Sequence, residues 1–178
     1  MGQVVNLSGL AFVATLLLTS GCATFRMPTP ENFVQVNWSG WVFRALTPEE
    51  GKLIVRHFTV PEKQNLKFWT ESLRNNFVAE RGYPLKEEGD FKTDAGLVGH
   101  RLLFEISMAD VPFCYELVLF ATEVPWYSPL RFLGGQREHI FTAEFLCEKK
   151  TFEKNASPVG KALKQFRPRR GYVTSTGS

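Results

Sequence analysis

The chain has 178 residues, 44% of them hydrophobic, 13% aromatic and 22% charged, with a formal net charge of +3. That composition excludes a disordered chain. The length suits one domain, large enough to bury a core without a disulfide framework or a structural metal.

The first charged side chain is Arg26. Ahead of it, residues 10–18 (LAFVATLLL) form an almost unbroken apolar run, followed by Thr19, Ser20, Gly21 and Cys22. A short apolar stretch closed by small residues is the pattern of a secretory signal, to be set aside before the fold is read. Because the small residues end on a cysteine, the segment resembles the lipobox of bacterial lipoproteins. Thr19 stands where leucine is usual in that motif, and residues 1–8 hold no lysine or arginine, which a misassigned start codon would explain. The resemblance implies cleavage before Cys22 and lipidation of its thiol, palmitate being a typical acyl group. It also implies a lipid-anchored location in the cell envelope, with Ala23 pointing to the outer membrane and a periplasm-facing domain. A transmembrane anchor would need about 20 apolar residues, and Gln3, Asn6 and Ser8 interrupt such a span. N-myristoylation at Gly2 fails because Asn6 stands where Ser or Thr is required.

This gives a signal peptide at 1–21, a tether at 22–31, a single domain at 32–166 and a basic flexible tail at 167–178. The tether holds two prolines and no periodicity. Residues 33–38 alternate as a strand, 40–46 follow at once, 47–51 (TPEEG) form a turn, and 52–60 are rich in β-branched and aromatic residues. A helix is expected over 65–81, capped by Asn65 and stopped by Gly82. Leu66, Trp69, Leu73 and Phe77 lie on one face at spacings of three and four. Strands at 90–93 and 98–108 flank a turn at 94–96. Longer strands at 112–123 and 138–147 flank a loop at 125–137, and a helix over 149–166 is expected to break near Pro158. Strands, one strong helix, antiparallel strands and a final helix make an α+β domain, an antiparallel sheet flanked by helices.

Several packing and turn residues carry a further likeness: Val60-Pro61 ending a strand, Asn65, Leu66, Trp69 and Leu73 in the helix, and the run TDAGLVGHRLLFE at 93–105. Tyr115, Leu119 and Phe120 follow, then Phe152, Leu163 and Phe166. With the element order, these resemble the PsbP/Mog-like α/β/α sandwich over about residues 38–166. The likeness implies a fold and no particular activity, because that fold serves unrelated roles.

Catalytic signatures are absent: there is no G-x-S-x-G, H-E-x-x-H, phosphate-binding glycine loop or C-x-x-C. His57, His100 and His139 lie in separate strands with no ligand-like spacing, so no metal, cofactor or catalytic role is assigned to them. Glu105, Glu116 and Glu144 fall in apolar strands, where a solvated sheet face is the ordinary home for a carboxylate. The loop carrying Trp126, Tyr127, Leu130, Phe132 and Leu133 either folds over the sheet edge or presents a partner-binding surface. From Lys149 onward eight basic residues face one acidic one, Glu153, a local +7. This segment is either a solvated face or a contact for an anionic surface; nucleic acid is not an expected partner of an exported chain. Cys114 and Cys147 fall opposite each other if the hairpin is centred at 130.5, which pairs Val118 with Ala143 and Phe120 with Phe141. Either a disulfide or two neighbouring thiols follows.

The function expected from sequence is a non-enzymatic accessory or protein-binding domain of the envelope. The alternatives are a small-molecule or envelope-polymer binding protein with a pocket between sheet and helices and, third, an enzyme. A deep polar pocket, a dry apolar one or a flat exposed sheet would separate them.

Overall fold

The computed structural model describes residues 23–60, 64–123, 138–168 and 173–174. Cys22 and the aromatic loop at 126–133 lie outside them. Ten strands are described: β1 (Phe25–Arg26), β2 (Val34–Trp38), β3 (Val42–Leu46), β4 (Lys52–Val60), β5 (Leu85–Lys92), β6 (Val98–Met108), β7 (Val111–Glu123), β8 (Glu138–Glu148), β9 (Arg167–Pro168) and β10 (Val173–Thr174). Helix α1 (Leu66–Asn75) runs into a π-helical turn, Asn76–Glu80, and α2 spans Lys149–Lys164. The main sheet is antiparallel in the order β2-β3-β4-β8-β7-β6-β5, and β10 pairs with β7. The α+β class expected from the sequence is the observed one.

Strand alternation sorts the sheet into two faces. Phe43, Ala45, Leu53, Val55, Val118, Phe120, Phe141, Ala143 and Phe145 pack with Val159, Ala162 and Leu163 of α2 in one large cluster. Leu102, Phe104, Ile106, Leu117, Leu119, Ala121 and Ile140 point the other way and meet α1 in two smaller clusters. The register is continuous through the centre, with Phe120 opposite both Gly99 and Phe141. A Cβ on Gly99 would come within 2.5 Å of the Phe120 ring. That ring lies flat on Phe166, centroids 5.0 Å apart.

Helix α1 forms as its sequence requires. The Asn65 side chain accepts a hydrogen bond from the Phe68 N–H at 2.8 Å. Leu66, Trp69 and Leu73 pack on the sheet, with Phe77 one turn further on. The chain turns away at Gly82, whose φ of +68° costs an L side chain strain.

Four expectations are corrected. The stretch read as a tether is packed from Thr24: Phe25 and Met27 are buried, and Phe25 meets Trp38, Phe141 and Phe166 at 5.6, 6.0 and 5.5 Å. Two short parts of the expected tail are strand as well, since β1 pairs with β9 and β10 with β7. Helix α2 runs unbroken through Pro158. The lost N–H and ring clash cost about 3 kcal/mol, and burial of the apolar Val159, Ala162 and Leu163 on the same helix offsets that. Strand β5 begins at Leu85 rather than Asp90. Its start is charged, which an edge strand tolerates: Glu87 meets Arg101, and Glu88 meets Arg74.

Candidate functional site

Helix α1 covers only part of its face, lying over β6 and β7. Beyond it the same face continues across β4, β3 and β2. Two-residue alternation from the buried Phe43, Ala45, Leu53 and Val55 places Val42, Arg44, Leu46, Lys52, Ile54, Arg56 and Phe58 there. Val34 joins them through its register with Leu46. Phe58 is 46% exposed, Val34 66% and Leu46 38%. Helix α1 meets the end of this half at Val60 of β4; among the described residues no helix makes extensive contact with β2, β3 or β4.

Charge is interleaved with the apolar side chains. Arg56 is ion-paired to Glu144. The other carboxylate oxygen of Glu144 accepts from the Tyr115 hydroxyl at 3.1 Å. Burial, then the neighbouring Glu144 charge, raises the Tyr115 pKa far above the ordinary phenol range, so it stays a donor. Arg44 and Lys52 have no ion-pair partner among the described residues. The surface is therefore an apolar, cation-bearing half-sheet bounded on one side by α1.

The structure brings two of the three histidines together. His57 Nε2 and His139 Nδ1 are 2.8 Å apart, and the Trp41 ring stacks on His57 at 4.8 Å. Burial, helped by His139, lowers the His57 pKa from 6.5 to about 4, so the ring is neutral at ordinary pH. This proximity was invisible in sequence, because it depends on β4 and β8 being neighbours across 82 positions. His100 is elsewhere, between Glu88 and Asp90. No group of three or more His, Cys, Asp or Glu side chains among the described residues is placed to hold a metal ion.

Of the strand carboxylates, Glu105 meets Lys149 and Lys86, and Glu144 meets Arg56, both partly solvated. Glu116 departs from the expected solvated position: it is buried, 2.5 Å from Arg101 Nε. Burial pushes its pKa up, against the pull of Arg101. A second buried carboxylate, Glu138, escaped the sequence reading. Its Oε2 accepts from the Trp69 Nε1–H and the Gln64 N–H, both at 3.0 Å, fastening the start of α1 to β8.

Cys114 and Cys147 are directly opposed in register, in line with Val118–Ala143 and Phe120–Phe141. Both thiols are free and buried, and burial raises both pKa values, that of Cys147 to about 11. A cleft of about 390 Å³ lies between the turn after α1 and the β6–β7 hairpin, lined by Arg81, Tyr83, Lys86, Glu105, Ile106 and Pro112 among others. It is open to solvent, and the Lys86–Glu105 ion pair crosses its lining.

No family model and no curated protein matches the sequence. The likeness found is to the fold of solved structures. The chain is similar in fold to LpqN of Mycobacterium tuberculosis, described as involved in cell envelope biogenesis. The TM-score is 0.60 at 7% identity, covering 84% of this chain and 85% of that one. A protein from Bacteroides thetaiotaomicron aligns with a TM-score of 0.48 and 14% identity, over 85% of this chain but 47% of the other. The cyanobacterial PsbP protein (CyanoP) of Synechocystis aligns at 0.47 and 12%, covering 84% and 95%. Among the described residues no helix is long and apolar enough to cross a membrane.

Proposed function

We propose that this chain is a lipid-anchored bacterial envelope protein whose domain acts by docking another protein rather than by catalysis. The observation that carries the reading is the uncovered half-sheet over β2–β4. Its Val34, Leu46 and Phe58 are exposed beside Arg44 and Lys52, which have no acidic partner among the described residues. Helix α1 supplies the template, because an amphipathic helix already packs on the neighbouring half of the same face. An amphipathic segment of a partner, apolar on one side and acidic along its border, matches the remaining half in shape and charge. The involvement of the similarly folded LpqN in envelope biogenesis supports an envelope setting, and the lipobox-like run ending in Cys22 supports the anchor.

Photo-crosslinking in cells tests the docking surface. Probes at Val34, Leu46 and Phe58 are expected to capture a discrete protein species that Arg44→Glu abolishes. Probes at Val98 and Met108, similarly exposed, are expected to capture none. Equal capture from both sets would overturn the reading. For the anchor, Cys22→Ser is expected to leave an uncleaved precursor about 2 kDa heavier. Unchanged processing and membrane association would remove it.

A further inference from the structure

The basic run near the C-terminus, a single stretch in sequence, is divided in two by the fold. In the first part Lys149 meets Glu105 at 3.0 Å, Lys150 meets Glu148 at 2.5 Å and Lys154 meets Glu49 at 2.6 Å. Lys161, Lys164 and Arg167 are exposed and have no ion-pair partner among the described residues. A fourth cation joins them from the other end of the chain. In the β1–β9 ladder Arg26 is directly opposite Arg167, and both are exposed. Like charges directly opposed across a ladder repel, so this pair is at its most favourable with an anion between or above the two guanidinium groups. Among the described residues Asp94 is tied to this corner through its backbone N–H, which donates to the Lys164 carbonyl at 2.7 Å. It has no salt bridge to the corner.

Chain geometry says which anion. Arg26 follows Cys22 by four residues, so the two Cα atoms are at most about 14 Å apart even in a fully extended chain. With Cys22 anchored in a bilayer, the arginine pair is held within reach of the headgroup layer. We propose that Arg26, Lys161, Lys164 and Arg167 form a seat for anionic phospholipid headgroups, which sets the orientation of the domain on the membrane. The location of this seat rests on the anchoring of Cys22, whereas its charge does not. The seat belongs to the layer packed on the α2 face, so the sheet separates it from the uncovered half-sheet, which is left facing away from the lipid.

The test uses the unlipidated chain from Ala23, which contains every described element, in sedimentation with vesicles. Binding is expected to vesicles of phosphatidylcholine mixed with phosphatidylglycerol, not to phosphatidylcholine alone, and should weaken as salt is raised. Near an anionic surface each basic residue contributes about fivefold. Arg26→Gln with Arg167→Gln should therefore weaken binding roughly ten- to thirtyfold, and Lys161→Gln with Lys164→Gln on the helix surface by a similar factor. Lys149→Gln with Lys154→Gln should leave it unchanged. Equal binding to both vesicle types, or equal loss from all three pairs, would overturn the proposal. So would displacement by inorganic phosphate beyond the effect of matched ionic strength, which would mark a site for free phosphate. Failure of the anchor reading is seen separately, as Cys22→Ser leaving cellular processing unchanged while vesicle binding persists.

Discussion

The two faces of the sheet are built to different standards. On the α2 face one cluster runs without interruption from Phe33 and Phe43 through Phe141 to Phe166, closed by α2 and by Phe25 and Met27. On the α1 face the buried apolar residues divide into two small groups under the helix, and the surface over β2–β4 keeps Val34, Leu46 and Phe58 open. The larger buried cluster is on the first face, and an open apolar surface is left on the second. Substitutions at comparable side chains should therefore differ in cost according to the face they occupy.

The largest effect is expected at Phe120, which is fully buried between Phe166 and Phe91 on the α2 face. Phe120→Ala should cost about 3–5 kcal/mol of stability, read from urea unfolding. A loss under about 1 kcal/mol would mean that the α2 face is not the stabilising one.

Acid sharpens the comparison next, because the His57–His139 pair sits on the α2 face. With its pKa lowered from 6.5 to about 4, His57 is neutral in the folded chain, while its unfolded counterpart takes up a proton as the pH falls. Its contribution is complete above pH 6.5 and is lost progressively down to about pH 4, a change on the order of 3 kcal/mol. Glu116 runs the other way. Its raised pKa means that the folded state holds a proton the unfolded state has released, so it costs stability as the pH rises above the ordinary carboxylate range. His57→Gln should flatten the acid slope of the unfolding free energy between pH 6.5 and 4. An unchanged slope would assign it to other groups.

On the α1 face the anchoring contact is Trp69, half-buried and hydrogen-bonded to Glu138. Trp69→Phe keeps most of the ring but removes the N–H, and should cost about 1–3 kcal/mol by depriving a buried carboxylate of a donor. No measurable loss would mean that packing alone holds α1.

The same contrast explains what could be read in the sequence. Helix α1 and the β6, β7 and β8 strands were legible because periodicity and burial agree there: Leu66, Trp69, Leu73 and Phe77 fall on one stripe, and the Cys114–Cys147 register follows from the centre of a hairpin. The errors came where tertiary contacts override local signals. Phe25 and Met27 are two apolar residues among prolines, too few to show a pattern, and Phe25 is buried against Phe141 and Phe166, more than a hundred residues away. Pro158 is a local helix breaker held in place by the packing of Val159 and Leu163. The candidate surface was hidden for a related reason. An alternating strand shows that one of its faces is apolar but not whether a helix covers the other, and coverage over β2–β4 is set by where α1 comes to lie.

Thiol chemistry probes the α2 face without altering it. Cys114 and Cys147 are buried with pKa values pushed up, so neither should react with a thiol reagent in the native protein near neutral pH. In the unlipidated chain from Ala23, two thiols should appear once it is denatured without reductant. If none appears, the opposed pair is joined as a cross-strand disulfide in the purified protein.

The smallest effect on stability is expected on the uncovered half-sheet, and it bears most directly on function. Phe58 is 46% exposed, so Phe58→Ser gives up roughly half of what a fully buried ring would lose and should cost about 1 kcal/mol. The register of β4 with β8, where Phe58 lies opposite Ile140, is made by the backbone and survives the change. If the half-sheet is a docking surface, the same substitution should still remove the crosslinked partner captured from Leu46, because a few large side chains, aromatic ones among them, carry most of the energy of a protein interface. The paired measurement is what decides. A loss of about 1 kcal/mol with lost capture assigns Phe58 to recognition. A loss of several kcal/mol would show that the half-sheet is covered in solution, and retained capture would move the docking surface elsewhere.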